Sequence, residues 1–122
     1  AHHQDAGFRE FQRLHPDVKL GNGPTILRGA NANRKLADRL VAQAVEYKIP
    51  YQIEVYGGGT GTDANAMQVN RAGMITGLVG IPLRYMHTPC EIVSLADADN
   101  AAELMARTAA SVKPGESWIP GN

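Results

Sequence analysis

The chain has 122 residues, 43% of them hydrophobic, and its twelve Lys and Arg are matched by twelve Asp and Glu, so the formal charge is zero. Such a chain holds one packed domain, not comfortably two, and is too apolar to stay disordered. The balanced charge argues against nucleic-acid or membrane-surface binding, both of which rest on a basic excess. No apolar run reaches the roughly 18 residues of a membrane span, and no signal peptide opens the chain. Cys90 is the single cysteine. It leaves no disulfide framework and no cysteine-built zinc site, so a reducing compartment, the cytoplasm, is expected.

The chain opens AHHQDAGFREF, without a methionine, and closes KPGESWIPGN, a Pro/Gly-rich tail. From these ends we expect that upstream residues have been removed. The first two dozen residues lack clear periodicity. His2, His3 and Asp5 suggest a metal cluster, but adjacent histidines in an extended segment point to opposite faces, and a solvated end is the better reading. His15 has no identifiable partner. Gly21-Asn22-Gly23-Pro24 has turn chemistry, and a short strand follows around Thr25 to Arg28.

In NANRKLADRLVAQAVEYK the apolar residues Leu36, Leu40, Val41, Ala44 and Val45 recur in steps of three and four, which predicts a helix. Asn31 or Asn33 caps it, and Pro50 marks its exit. YQIEVY alternates and predicts a half-buried strand. After the glycine run, TDANAMQVNRAG reads as a helix with Thr62 as cap, Asp63 at its positive end and Gly73 as terminator. MITGLVGIPL predicts a buried strand, and CEIVSL another. DADNAAELMARTAASV predicts a closing helix with Ala101, Leu104, Met105 and Ala109 on one face. The order β-α-β-α-β-β-α points to an α/β fold, a mixed, largely parallel sheet flanked by helices.

Two segments could carry chemistry. In YGGGTGTDANAM, Gly59, Gly61 and Ala64 fit the loose G-x-G-x-x-G/A spacing of a phosphate-binding turn. Asp63, however, would place a carboxylate where the phosphate belongs, and Arg84 rather than an acid lies about 20 residues on. The turn is either a tight strand-to-helix connection or a pocket wall that glycines let approach a ligand. In GIPLRYMHTPCEIV, Pro82 and Pro89 stiffen a segment that presents Arg84, Tyr85 and His87 together. His87 is a structural histidine or a metal ligand, and Glu91 could orient its ring. Arg84 could equally bury its stem in an ion pair, Tyr85 could simply pack, and Cys90 is expected to pack as a small apolar group.

Taken together, DVKLGNGPTI, the run from IPYQIEVYGGGTGTDANAM through GIPLRYMHTPCEIVSLAD, and the closing helix resemble the C-terminal part of the glutamyl aminopeptidases. This family of dinuclear metallopeptidases includes the tetrahedral aminopeptidases and relatives labelled endoglucanase. The likeness runs from about residue 17 to 112. It implies a zinc-peptidase-like mixed-sheet catalytic domain, two divalent ions, zinc or cobalt, and removal of N-terminal residues from peptides by a homo-oligomer. It implies that His87 is the last metal ligand in the chain. It also implies that Gly59, Gly61, Thr62 and Asp63 lie beside the cleft, and that Arg84 and Glu91 support the His87 segment.

The family's other metal ligands and its general-base glutamate belong to motifs absent from these 122 residues. We therefore expect residues 1–122 to form a single partial domain that is inactive by itself and holds little or no metal. One histidine cannot hold a metal pair about 3.5–4 Å apart. The alternative is a truncated, non-enzymatic binding or assembly module of the same fold.

Overall fold

The computed structural model describes the backbone of residues 2–4 and all of residues 18–121. Asp5 and His15 lie outside the described residues, as do the side chains of His2 and His3. At its centre is a mixed sheet. Strand β2 (Thr25–Gly29) pairs in parallel with β3 (Gln52–Tyr56), in register from Thr25 opposite Gln52 to Gly29 opposite Tyr56. On its other side β2 pairs antiparallel with β4 (Val79–Arg84), Thr25 opposite Gly80. Strand β1 (His2–Gln4) runs parallel to β4, and the short β5 (Ile92–Val93) runs antiparallel to it. Leu83 is paired with both Gln4 and Val93, so β1 and β5 occupy opposite edges of β4. No sequence period marks the strand at 2–4, since three residues are too few to show one.

Helix α1 (Arg34–Glu46) starts at Asn33, whose side chain accepts the Leu36 N–H at 3.1 Å. This satisfies one of the donors that a helix start leaves open. The helix ends through a Schellman motif rather than at Pro50. Lys48 takes a left-handed φ of 54°, the Ile49 N–H donates to the Ala44 carbonyl at 2.8 Å, and the Lys48 N–H donates to Val45 at 3.3 Å. The buried face is Ala37, Leu40, Gln43 and Ala44, while Val45 points to water.

Helix α2 covers only Asp63–Met67, and α3 covers Leu95–Ala110. The short α2 and a turn through Gly73, with φ 93°, replace the longer helix the sequence suggests. Thr62 precedes α2 but makes no side-chain cap; its hydroxyl meets that of Thr60 at 2.7 Å.

The two long helices pack on each other, α1 over β2 and α3 over β4. Ile26, Ala37, Leu40, Ala44, Ile49 and Leu104 form the core between them, and the opposite sheet face holds Leu27, Ala64 and Leu78. Met105, expected in the α3 core face, is 51% exposed, and Thr108 takes the inward position instead.

Three further expectations are corrected. In β3 the buried member is Glu54, whereas Ile53 and Val55 are exposed, because β3 is the outer strand and packs chiefly against β2. Regular pairing in 74–83 begins only at Val79, and Met74 and Ile75 are exposed. The segment ahead of Val79 hangs instead on single bonds, Leu27 N–H to Leu78 O at 3.0 Å and Asn33 N–H to Thr76 O at 2.8 Å. Cys90 is exposed rather than packed, since it lies in the loop outside the sheet.

Candidate functional site

Strand β4 delivers the His87 loop. Pro82 is fully buried within the strand, Arg84 is its last residue, and residues 85–91 cross to β5 with His87, Cys90 and Glu91 all exposed. Tyr85 and His87 both have φ of 61°. Positive φ is uncommon for bulky residues and costs on the order of 1–3 kcal/mol, so it persists where surrounding bonds impose it. Those bonds are present. Thr88 donates its N–H at 3.2 Å and its hydroxyl at 2.7 Å to the Tyr85 carbonyl, closing a turn. Glu91 accepts the His87 backbone N–H at 2.6 Å. The loop is therefore shaped by hydrogen bonds as much as by Pro82 and Pro89, and the Glu91 contact described here is to main chain.

The glycine turn is built differently. Asn31, almost fully buried, accepts the Thr60 N–H at 3.0 Å and donates to the Asn65 side chain at 2.9 Å. The Thr76 hydroxyl donates to the Asn31 carbonyl at 3.0 Å. Thr62, Asp63, Ala64 and Met67 line one side of an open depression of about 330 Å³, with residues 75–78 on the other. Gly59 and Gly61 lie on the exposed part of the turn. The sequence marks the turn by its glycines. It does not mark Asn31, which is distant in the chain and reads as a helix cap.

The register decides which of these residues come together. The glycine turn leaves the sheet where Gly29 is opposite Tyr56, whereas β4 passes Gly80 opposite Thr25 and runs on to Arg84 in the other direction. At about 3.3 Å per residue the two loops leave the strands roughly 25 Å apart, at opposite ends of the sheet. Arg84, His87 and Glu91 are thus one group. Gly59, Gly61, Thr62 and Asp63 are another.

Asp97 is a buried residue at the His87 end that no sequence pattern marks. Placed three residues after Ser94, it resembles a capping-box position, and Ser94 does cap α3. Its carboxylate, however, turns away to accept the Gly21 N–H at 2.7 Å and the Gly23 N–H at 2.9 Å.

Among the described residues no group of three or more His, Cys, Asp or Glu side chains is arranged to hold a metal ion. His87 is exposed, and one imidazole does not fit a two-metal centre.

Comparison with known proteins supplies the context. The family profile of the M42 glutamyl aminopeptidases, which are metallopeptidases, matches residues 5–104. The lysyl aminopeptidase of Pyrococcus furiosus is 42% identical over 96 residues, which is 79% of this chain and 28% of that protein. The structure of an aminopeptidase from the archaeon Desulfurococcus kamchatkensis superimposes with a TM-score of 0.78 at 33% identity, covering 98% of this chain and 34% of the other. The TET1 peptidase of Pyrococcus horikoshii, described as assembling into a tetrahedron or a large octahedral shell, matches at 35% identity with a TM-score of 0.66, covering 80% of this chain and 29% of its own. The chain thus spans about a third or less of the length of these relatives, and it belongs to the M42 glutamyl aminopeptidase family.

Proposed function

We propose that residues 1–122 form a partial domain, the C-terminal portion of the catalytic domain of a cytoplasmic, homo-oligomeric, metal-dependent aminopeptidase that removes N-terminal residues from peptides. The observation that carries this reading is the family match over 5–104 together with the solvent-facing His87 loop at the end of β4. His87 contributes one imidazole to a metal centre whose other ligands, and whose general base, lie outside these 122 residues. Zinc or cobalt is the metal pair of this reading. Bound, it would polarise the scissile carbonyl and make a hydroxide nucleophile available near neutral pH.

The chain's own residues have the task of placing a ring. Glu91, by holding the His87 N–H, and Thr88, by holding the Tyr85 carbonyl, fix the left-handed backbone from which the imidazole projects. Arg84 begins the loop at the strand end. The glycine turn, with Thr62 and Asp63, is assigned to shaping the far end of the sheet, since the register keeps it away from this loop. Without the remaining ligands the isolated chain hydrolyses no peptide.

Peptide-anilide hydrolysis by the full-length protein supplied with zinc or cobalt tests the proposal. Turnover that disappears with a chelator and returns with metal is the expected result. A metal-loaded full-length protein that cleaves no N-terminal residue would favour the alternative, a binding or assembly module.

A further inference from the structure

The chain entering β2 comes from the end of the sheet at which β4 gives way to the His87 loop. Extending the β2–β4 register backward brings Gly23 level with Pro82, but there β5 takes over that edge of β4. Residues 20–22 must therefore step out of the sheet beside β5, and the structure fastens them as they do so. Asp97, with no exposed surface, accepts both the Gly21 and Gly23 N–H groups. From the other side Gln52 donates to the Lys19 and Gly23 carbonyls at 2.9 and 2.7 Å and accepts the Lys19 N–H at 2.8 Å.

Gly21 and Gly23 have φ of 84° and 96°, and a Cβ on Gly23 would stand 2.3 Å from the Pro50 carbonyl oxygen. Only glycine fits there. Between the two pinned glycines Asn22 is exposed and makes no hydrogen bond to another described residue. Burying a carboxylate is expensive unless it is fully hydrogen-bonded. Here that expense fixes an exposed turn carrying one amide, a larger investment than an ordinary surface connection needs.

We propose that the turn at 21–23 is a rigid wall of the substrate cleft at the His87 end, with Asp97 as its positioning residue and the Asn22 side chain as a contact to bound peptide. A primary amide is donor and acceptor at once, which matches the alternating N–H and C=O groups of an extended peptide. The inference rests on the aminopeptidase reading above.

Steady-state kinetics of the full-length peptidase on a tripeptide test it, with wild type, Asn22→Ala, Asp97→Asn and the double variant. Asn22→Ala raises KM about 5- to 10-fold with kcat changed less than two-fold, as expected for one lost hydrogen bond made equally in ground and transition states. Asp97→Asn raises KM as well, and the double variant is no worse than Asp97→Asn alone, because a misplaced turn has already lost its contact. An unchanged KM for Asn22→Ala in an active enzyme overturns the inference. So do KM effects that simply multiply in the double variant, or an Asp97→Asn that lowers only the melting temperature. A wild-type protein that cleaves no peptide overturns the aminopeptidase reading itself, and this inference with it.

Discussion

Replacing Asn31 by alanine should loosen the glycine turn and leave the His87 end alone. The Asn31 side chain is 1% exposed and makes two hydrogen bonds, from the Thr60 N–H at 3.0 Å and to the Asn65 side chain at 2.9 Å. Truncation removes both and leaves partners in a part-buried setting where water restores them incompletely. A buried group stripped of its partner is penalised by about 1–3 kcal/mol. At about 1.4 kcal/mol per factor of ten, the Thr60 amide should exchange roughly 5- to 150-fold faster with solvent deuterium. The assay is hydrogen exchange followed by mass spectrometry on the full-length protein, comparing peptides that cover 57–64 and 84–92. Protection should fall in the first and hold in the second, because the two loops leave opposite ends of the sheet roughly 25 Å apart. Equal loss of protection in both would refute the separation read from the strand register, and no loss in either would refute the role given to Asn31.

Other perturbations bear on different parts of the account. Leu104→Ala, at a fully buried position between α1, α3 and the sheet, should destabilise the protein by about 2–5 kcal/mol in urea titration, whereas Met105→Ala beside it, half exposed, should change stability by less than about 1 kcal/mol. Lys48→Gly should stabilise by about 0.5–1 kcal/mol, since the left-handed C′ position of α1 suits glycine; a loss of stability would contradict the Schellman ending. Glu91→Ala should weaken metal retention by the full-length protein about 10-fold, measured against a competing chelator, by releasing the His87 backbone.

The sequence showed most where a period repeats. The long α1 is legible from Leu36, Leu40 and Ala44, and of the two asparagines the sequence offers as its cap, Asn33 serves. The α/β class and the mixed sheet followed from alternating elements, and the family from GTDA and RYMHTPCE in combination. Local pattern failed where tertiary position decides. YQIEVY alternates correctly, but being the outer strand inverts which members are covered, so Glu54 is inside and Val55 outside. Met105 keeps the helical spacing yet is half exposed, and Thr108 is buried instead.

The site was legible only as two separate segments. Nothing local in YGGGTGTDANAM or GIPLRYMHTPCEIV states that the strands preceding them run in opposite directions, and that antiparallel step sets Asp63 apart from His87. Asp97 is hidden in the sequence for a similar reason. Its partners, Gly21 and Gly23, are more than 70 residues away in sequence, and no local pattern announces them.

The central claim is that this chain supplies a metal ligand through His87. Elemental analysis of the full-length protein after exhaustive dialysis, wild type beside His87→Ala, tests it most directly. The account predicts that the variant keeps its fold by circular dichroism, retains less metal per chain than wild type, and loses more activity than the roughly 10- to 100-fold that follows from disturbing a supporting residue. A His87→Ala protein with wild-type metal content and wild-type turnover would contradict it.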